Sequence, residues 1–236
     1  MVAILEPYDN AQPFPSVDQA LTDPNGLLAA GGCLSPIRLE NAYRNGIFPW
    51  FGSGEPILWW SPDPRLVLQP EQVRVSRSLR KRLNRAEFRF TFDVAFGQVM
   101  AACAEPRPGA PGTWITKGMK RAYLALHQQG LAHSFEVWSD ECLVGGLYGV
   151  AIGRVFFGES MFHRVTDASK AAFVMGCERL GEWGYQLIDC QVHSAHLASL
   201  GASEVPRNHF ISQLQRLCNE PVSANAWRVS DRPEWL

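Results

Sequence analysis

The chain has 236 residues, enough for one large domain or for a domain of about 150 residues with a smaller one beside it. Its 46% hydrophobic and 19% charged residues describe an ordinary globular protein and exclude fibrous and intrinsically disordered classes. No stretch approaches the ~20 uninterrupted apolar residues of a membrane span, and Met1 begins no basic and apolar leader. We therefore expect a cytoplasmic protein without a membrane anchor.

The first sixty or so residues are rich in Pro, Gly and Trp, and they contain one clear helix signal. Ser35 is a suitable N-cap, and Pro36 suits the first helical position because its missing N–H has no partner there anyway. Leu39 and Tyr43 belong to an apolar stripe, and Gly46 ends the pattern. The stripe predicts a helix that packs one face against a core.

Three of the eight tryptophans, Trp50, Trp59 and Trp60, lie within eleven residues of one another. One interpretation is a small aromatic core beneath irregular backbone, and for any single residue we favour it. The other is a surface on which a base or an apolar ligand stacks, since Trp combines a large apolar area with a hydrogen-bond donor.

A basic window follows, running from Arg74 to Arg89 with seven cations against the single acid Glu87. The segment VRVSRSLRKRLNR predicts a short helix capped by Ser76, in which Leu79 and Leu83 face the protein. Because these cations repel one another in isolation, a polyanion is the expected partner, and nucleic acid is the commonest one.

The rest of the chain predicts an α+β fold in which a mixed sheet is flanked by helices, the order of the GNAT acyltransferase superfamily. We predict a strand at 88–92, a helix at 93–104, a Pro/Gly-rich loop through Gly112, a helix at 116–129, strands at 134–138, 142–150 and 154–162, a helix at 167–183, a strand at 186–192, a helical turn near His196 and a helix at 208–218.

A GNAT-like plan first suggests acyl transfer from acetyl-coenzyme A. The loop that holds that cofactor's pyrophosphate has the pattern [QR]-x-x-G-x-[GA], which occurs nowhere in this chain. The corresponding stretch reads FHRVTDASK, where Asp167 can cap the next helix and would oppose a phosphate. The sequence therefore favours a GNAT-like fold that does not use acetyl-coenzyme A.

Two predicted core strands, RVFFGESMF and LIDCQV, carry polar groups where an apolar strand should have none. Alternation along a strand would place Glu159 beside Phe157 and Met161, and Asp189 beside Gln191. A carboxylate on an apolar face is costly unless it is paired or used. These two strands are therefore the first candidate for a functional site.

A metal site is not expected. The six cysteines are scattered without a C-x-x-C pair, and the histidines offer only His193-x-x-His196, with no obvious third ligand. We predict that all six cysteines are reduced and mostly packed.

Many further motifs occur in one order along nearly the whole chain: PNGLLAAGG, YRNGIFPWF, ILWWSPDPR, FGQVMAAC, GTWIT, VGGLYGVAIG, FFGESMF, ASK, LIDCQV and HLASLGA. With them the chain resembles the leucyl/phenylalanyl-tRNA–protein transferases. Such bacterial enzymes move Leu or Phe from aminoacyl-tRNA to proteins with N-terminal Arg or Lys and so mark them for degradation. The resemblance implies a small N-terminal α+β domain (1–65), a GNAT-like catalytic domain (66–236), and no cofactor beyond Leu-tRNA or Phe-tRNA; Met is a further candidate donor.

The resemblance implies a catalytic carboxylate at Asp189, which would act as the base or as the charge that orients the acceptor amine. Gln191 would pass or position the proton, and Glu159 would shape the site, meet the basic side chain of the acceptor or orient Gln191. The ester is already activated by its tRNA, so transfer needs neither ATP nor an enzyme nucleophile; a positioned base contributes ~10² to 10⁴-fold.

The resemblance also implies an apolar pocket for the donor side chain. Core packing explains any one of its residues equally well, and exclusion of a mis-sized side chain is worth only about 1 to 3 kcal/mol. Gly176 departs from the family pattern, which often has a bulky residue there, so the Leu to Phe preference stays open. The four implied pocket residues are Leu147, Met161, Phe173 and Ile188.

Trp50 and Trp114 match positions that contact the terminal adenosine of the tRNA, whereas Trp59 and Trp60 keep the core interpretation. The basic window would contact the acceptor stem through Arg74, Arg77, Arg80, Lys81, Arg82 and Arg85.

Two other functions compete with this interpretation. A coenzyme-A-dependent N-acetyltransferase lacks its phosphate loop. A non-catalytic RNA-binding module leaves Glu159, Asp189 and Gln191 unexplained. No long apolar exposed helix suggests an obligate dimer, so we predict a monomer.

Overall fold

The computed structural model describes residues 2–85, 87–106 and 113–228. Residues 107–112 of the predicted Pro/Gly-rich loop therefore lie outside the described residues. The described chain forms a four-stranded sheet in the order β1-β2-β4-β3 and a seven-stranded sheet in the order β11-β5-β10-β9-β8-β7-β6. The strands are β1 Ala3–Leu5, β2 Leu27–Gly31, β3 Phe48–Pro49, β4 Leu58–Trp60, β5 Arg65–Leu68, β6 Arg89–Phe92, β7 Ala132–Ser139, β8 Cys142–Ile152, β9 Val155–His163, β10 Leu187–Gln191 and β11 Ser203–Val205.

The helices lie close to the predicted positions because their capping residues are strong local signals. Ser35 accepts a hydrogen bond from the backbone N–H of Arg38, and Ser76 does the same for Leu79. The helices are α1 Pro36–Arg44, α2 Arg77–Leu83, α3 Phe96–Cys103, α4 Lys117–Gln128, α5 Ala168–Glu182, α6 Ala195–Ser199 and α7 Arg207–Leu217.

The start of α5 departs from the expected cap. Asp167 occupies the N-cap position, but its backbone is left-handed (φ 66°) and its side chain makes no capping hydrogen bond to the described helix. The carboxylate instead accepts a hydrogen bond from Lys170 at 3.1 Å, three residues along the helix. The prediction that Asp167 caps α5 with its side chain is therefore wrong, because a capping side chain reaches the helix from an extended, not a left-handed, backbone.

The larger sheet is mixed, and this confirms the α+β class. Strands β6 to β9 are antiparallel neighbours, whereas β9 and β10 are parallel and are connected through α5. Apolar residues of α5 pack in the core on one face of this sheet, and those of α3 and α4 pack in the core on the other. Both faces of the central strands are thus buried.

The short strands of the N-terminal section, together with β5 and β11, were not predicted. Strand β5 has only four residues, and Arg65, a charged residue, begins it. The predicted domain boundary between residues 65 and 66 falls at this strand, which already belongs to the larger sheet.

The cysteines match their prediction, since all six are free and four are buried. Among the described residues, no helix has both the length and the apolar character needed to cross a membrane.

Candidate active site

Two irregularities lie side by side in the larger sheet, one in β9 and one in β10. Gly149 of β8 pairs with Gly158 and Tyr148 pairs with Ser160, so Glu159 is an extra residue in β9. In β10 the extra residue is Cys190, because the partners of Asp189 and Gln191 on β5 are consecutive. Such β-bulges redirect side chains and often lie beside active sites.

The parallel pairing of β9 and β10 runs from Leu187 opposite Val155 to Asp189 opposite Phe157. Beyond that point the two bulged segments border a cavity of about 880 Å³, within the size range of small-molecule sites. Eight of the predicted site residues line this one cavity: Trp50, Trp114, Leu147, Glu159, Met161, Phe173, Ile188 and Gln191.

Glu159 is half-buried at the wall of the cavity and accepts three hydrogen bonds. The hydroxyls of Tyr43 and Tyr123 donate to its Oε1 and Oε2 at 2.7 and 2.8 Å, and the amide Nε2 of Gln191 donates to Oε1 at 2.9 Å. The two tyrosine hydroxyls also contact each other. Burial raises the pKa of Glu159 to about 7, and the hydrogen bonds from the tyrosines and from Gln191 oppose that rise.

Asp189 is in a different environment. Its carboxylate is fully buried and forms a bidentate ion pair with Arg65, whose Nε and Nη2 donate at 2.8 and 2.7 Å. Its Oδ1 also accepts the backbone N–H of Gln191 at 2.9 Å, and Asp189 is not among the described residues that line the cavity. The interaction holds Gln191 in a left-handed backbone conformation, with φ of 64°.

Glu159 shares a core with Phe157 as expected, since both contact Tyr43, but simple alternation is wrong for Met161 and on β10. Because Glu159 is an extra residue in β9, it contacts Tyr43 and Tyr123 in one core, whereas Met161 packs with the other core. Because Cys190 is an extra residue in β10, the Gln191 side chain lines the cavity while Asp189 pairs with Arg65.

Arg65 links three parts of the chain at the buried ion pair. Its guanidinium lies 4.9 Å from the ring centre of Phe48 and 4.7 Å from that of Phe210, and its Nη1 donates to the carbonyl of Gly46 at 3.0 Å. Since a buried charge is tolerated only with such partners, Arg65 fixes Asp189, and through it Gln191, relative to the N-terminal section.

The apolar end of the cavity lies between the sheet and α5. Leu147 and Met161 are opposite each other on β8 and β9, whereas Phe173 comes from α5. Gly176 also lines the cavity, and a Cβ at that position would lie 3.1 Å from the ring of Phe135. Phe135 therefore occupies the space next to the glycine.

Trp50 and Trp114 line the cavity, whereas Trp59 lies in the core. Trp50 is 48% exposed at the cavity, and its carbonyl accepts the indole N–H of Trp60 at 2.7 Å. Trp114 is half-buried and lines the same cavity. Trp59 is fully buried and donates to the carbonyl of Gly31 at 2.9 Å, which confirms its core interpretation.

The cations of the basic window are exposed except for Arg82 and Arg89, and Arg89 lies partly buried over the ring of Trp138. Arg82 is partly buried against the ring of Phe88 and has two acidic neighbours, Glu87 at 3.4 Å and Asp167 at 4.0 Å. Asp167 could not be identified as a neighbour from the sequence because it lies at the start of α5. The exposed cations are Arg74, Arg77, Arg80, Lys81 and Arg85.

A second polar cluster, of Asp93, His127 and His133, was not predicted. One potential metal-ligating atom from each residue lies within 4.8 Å of the others. The Nδ1 atom of His133 contacts Asp93 Oδ2 at 2.6 Å, however, and Nδ1 of His127 contacts the carbonyl of Ala132 at 2.7 Å. We interpret the cluster as hydrogen-bonded support between α4 and β7.

Two protein-family models together match most of the chain. The model described as leucyl/phenylalanyl-tRNA protein transferase matches residues 67–215, and the model of that protein's N-terminal domain matches residues 32–63. The chain belongs to the leucyl/phenylalanyl-tRNA–protein transferase family. It is therefore a transferase enzyme, and the resemblance predicted from its motifs is confirmed.

Two individual relatives agree with this assignment. The leucyl/phenylalanyl-tRNA–protein transferase of Methylococcus capsulatus is 61% identical over 97% of this chain and 97% of its own length. That of Nitrosomonas europaea is 58% identical over 91% of each chain. A solved GCN5-related N-acetyltransferase from Kribbella flavida matches 73% of this chain and 61% of its own at 13% identity, with a TM-score of 0.37.

Three polar residues of the site were missed by sequence reasoning. Tyr43 and Tyr123 are fully buried residues of amphipathic helices, and the pattern of α1 predicted only the apolar face of Tyr43. Arg65 is 124 positions from Asp189 in sequence. The one available signal was the pair of unexplained carboxylates, each of which requires a buried partner.

Proposed function

We propose that this transferase moves Leu or Phe, with Met as a further donor, from aminoacyl-tRNA to the N-terminal α-amino group of proteins that begin with Arg or Lys. The product would carry a degradation signal, and the reaction would take place in the cytoplasm with a monomeric enzyme. The single observation that carries the proposal is one cavity lined by two tryptophans, an apolar pocket and a half-buried carboxylate, in a chain of this family.

The donor ester would occupy the cavity along its length. Trp50 and Trp114 would contact the terminal adenosine, and base stacking of this kind is worth about 1 to 3 kcal/mol per base. The Leu or Phe side chain would enter the apolar pocket formed by Leu147, Met161, Phe173 and Ile188. Selection against a mis-sized side chain would be worth a similar ~1 to 3 kcal/mol.

The acceptor amine would be placed by Gln191. Its Nε2 donates to Glu159, which leaves the amide oxygen to accept a hydrogen bond from the amine. Of the two roles considered for Asp189, the geometry favours the orienting charge, since both oxygens already bind Arg65 and one also binds the backbone of Gln191. Its role would be to hold Gln191 in position.

The exposed cations of α2 and its flanks would contact the tRNA acceptor stem. Contacts to phosphate carry little sequence information, so specificity would arise from the amino acid and the terminal adenosine. No cofactor besides the charged tRNA is required by this chemistry.

We also propose that the larger sheet is of the GNAT type and that the chain divides into domains 1–65 and 66–236. The parallel β9 and β10 connected through α5 support the first proposal. The separate matches at 32–63 and 67–215 support the second.

The test supplies labelled Leu-tRNA and a peptide that begins with Arg, and it detects Leu at the peptide's N-terminus by mass spectrometry. A matched peptide with an acetylated N-terminus should receive none, because it has no free amine. Acetyl-coenzyme A should not serve as donor. Absence of transfer under conditions where the charged tRNA binds would contradict the proposal.

A further inference from the structure

The hydrogen bonds around Glu159 form a closed ring of oxygen atoms. Oε1 contacts the hydroxyl of Tyr43, that hydroxyl contacts the hydroxyl of Tyr123, and the latter contacts Oε2. Three hydrogen bonds need three protons, but the two tyrosines supply only two. The third bond of the ring can form only when Glu159 carries a proton.

The ionised form of Glu159 is also hydrogen-bonded by the same partners. Both tyrosine hydroxyls then donate to the carboxylate, and Gln191 Nε2 donates to Oε1 at 2.9 Å. The same groups can therefore form hydrogen bonds to Glu159 in its protonated and in its ionised state, with little movement of heavy atoms. A carboxyl group that merely supports a structure needs only one of these states.

Of the two carboxylates on β9 and β10, Glu159 is the one with access to the cavity. It lines the cavity wall, whereas Asp189 is fully buried and its oxygens are occupied by Arg65 and the backbone N–H of Gln191. A proton that leaves the acceptor amine beside Gln191 would reach Glu159 first, because Gln191 and Glu159 are directly hydrogen-bonded.

We propose that Glu159 accepts the proton of the attacking α-amine, and that Tyr43 and Tyr123 are positioning residues that stabilise its carboxyl group with and without that proton. This inference rests on the proposed function. An amine that arrives as ammonium first loses one proton to solvent. The neutral nitrogen then forms a bond to the ester carbonyl carbon and gives one proton to Glu159. The bond between that carbon and the 3′ oxygen of the tRNA breaks, and the oxygen leaves with the electron pair. This oxygen then takes the proton from Glu159.

The electrostatic surroundings of Glu159 suit this role. Burial raises the pKa of Glu159 to about 7, near that of an N-terminal amine, whose reference pKa is ~7.7 to 8.0. The titratable groups that shift its pKa are Tyr43 on α1, Tyr123 on α4 and Asp189 on β10, the last paired with Arg65. Tyr148 on β8 also faces it, but burial raises the pKa of Tyr148 well above its usual range, so its hydroxyl stays uncharged between pH 5.5 and 8.5. A general base is most effective when its pKa lies near the working pH.

The experiment measures single-turnover transfer of Leu from pre-bound Leu-tRNA to a saturating Arg peptide between pH 5.5 and 8.5. We expect Glu159→Gln to bind Leu-tRNA with unchanged affinity and to lose ~10² to 10⁴-fold in rate. We expect its remaining pH dependence to be that of the amine alone. Tyr43→Phe and Tyr123→Phe each remove a hydrogen-bond donor that favours the ionised carboxylate. Both variants should therefore raise the pKa of Glu159 and shift the part of the pH–rate profile that depends on Glu159 to higher pH.

Tyr148→Phe is the matched control. The Tyr148 hydroxyl is buried and has no hydrogen-bond partner among the described residues. This variant should therefore show the same pH–rate profile as the wild type. A Glu159→Gln rate within threefold of wild type would overturn the inference, as would identical profiles for the two ring variants and the control. If a tyrosine variant fails to fold, the Glu159→Gln profile decides. Absence of transfer by the wild type would instead overturn the proposed function.

Discussion

The buried ion pair between Arg65 and Asp189 provides the sharpest test of how the site is held together. Arg65→Met keeps an unbranched apolar stem but removes the charge and the donors of the guanidinium. The Asp189 carboxylate then remains in the core with the backbone N–H of Gln191 as its remaining hydrogen-bond donor among the contacts described. Asp189→Asn, by contrast, keeps the shape and still offers an oxygen to Gln191.

The expected cost follows from the contacts that are lost. Removal of one partner of a buried ion pair costs about 3 to 5 kcal/mol. The interactions of the guanidinium with Phe48 and Phe210 add roughly 1 kcal/mol each. Against a total unfolding free energy of about 5 to 15 kcal/mol, Arg65→Met should therefore lower stability severely.

The double variant isolates the charge. Arg65→Met with Asp189→Asn no longer buries an unpaired carboxylate, so it should be more stable than Arg65→Met alone, with a coupling free energy of about 0.5 to 3 kcal/mol. Urea unfolding of the four proteins measures this coupling, and the transfer assay shows whether turnover returns with stability. An Arg65→Met variant within about 1 kcal/mol of wild type, or additive effects in the double variant, would refute the reasoning.

Three further predictions concern the substrate contacts. Gly176→Leu should crowd Phe135, whose ring lies 3.1 Å from a Cβ at position 176, and should reduce Phe transfer more than Leu transfer by ~10-fold, as measured by competition between the two charged tRNAs. Trp50→Ala should weaken binding of charged tRNA by about 1 to 3 kcal/mol and leave single-turnover chemistry nearly unchanged; an unchanged dissociation constant would contradict the stacking role. Replacement of Arg80 and Lys81 by Ala should reduce the magnitude of the logarithmic salt slope of tRNA binding by roughly 1 to 2, and an unaltered slope would exclude phosphate contacts by these residues.

The sequence predicts well whatever depends on neighbours along the chain. Ser35 and Ser76 cap their helices because an N-cap is a local hydrogen bond. The long strands β8 and β9 appear close to their predicted positions because their apolar runs are bounded by turn signals. Of the predicted cavity residues, Leu147, Glu159 and Met161 lie on these two strands, whereas the others were implied by motifs in other elements and loops.

What the sequence could not predict depends on register between strands. A β-bulge adds one residue and changes the faces of all later side chains, yet nothing local in GES or DCQ distinguishes a bulged strand from a regular one. For the same reason the partners of the two carboxylates could not be identified. Arg65 and Tyr43 reach them from 124 and 116 positions away in the chain.

Glu159 allows a last prediction, because a raised pKa of an acid is also a cost to stability. The folded protein holds the proton of Glu159 up to about pH 7, whereas the unfolded chain releases it near 4.5. Between these values the folded state binds more protons, so the free energy of unfolding must fall as the pH rises. Each pKa unit corresponds to about 1.4 kcal/mol, so above pH 7 the free energy of unfolding is lower by about 3 kcal/mol than it is below pH 4.5.

Glu159→Gln removes the titrating group and keeps an oxygen that can accept from the tyrosines. The variant should therefore lack the fall in stability between pH 4.5 and pH 7 and should be more stable than wild type at pH 8, while it is far less active. Urea unfolding of both proteins across this range measures the difference. If the free energy of unfolding depends on pH in the same way for both proteins, Glu159 is ionised throughout this range. A carboxylate that stays ionised down to pH 4.5 would lack the proton affinity that the transfer step requires.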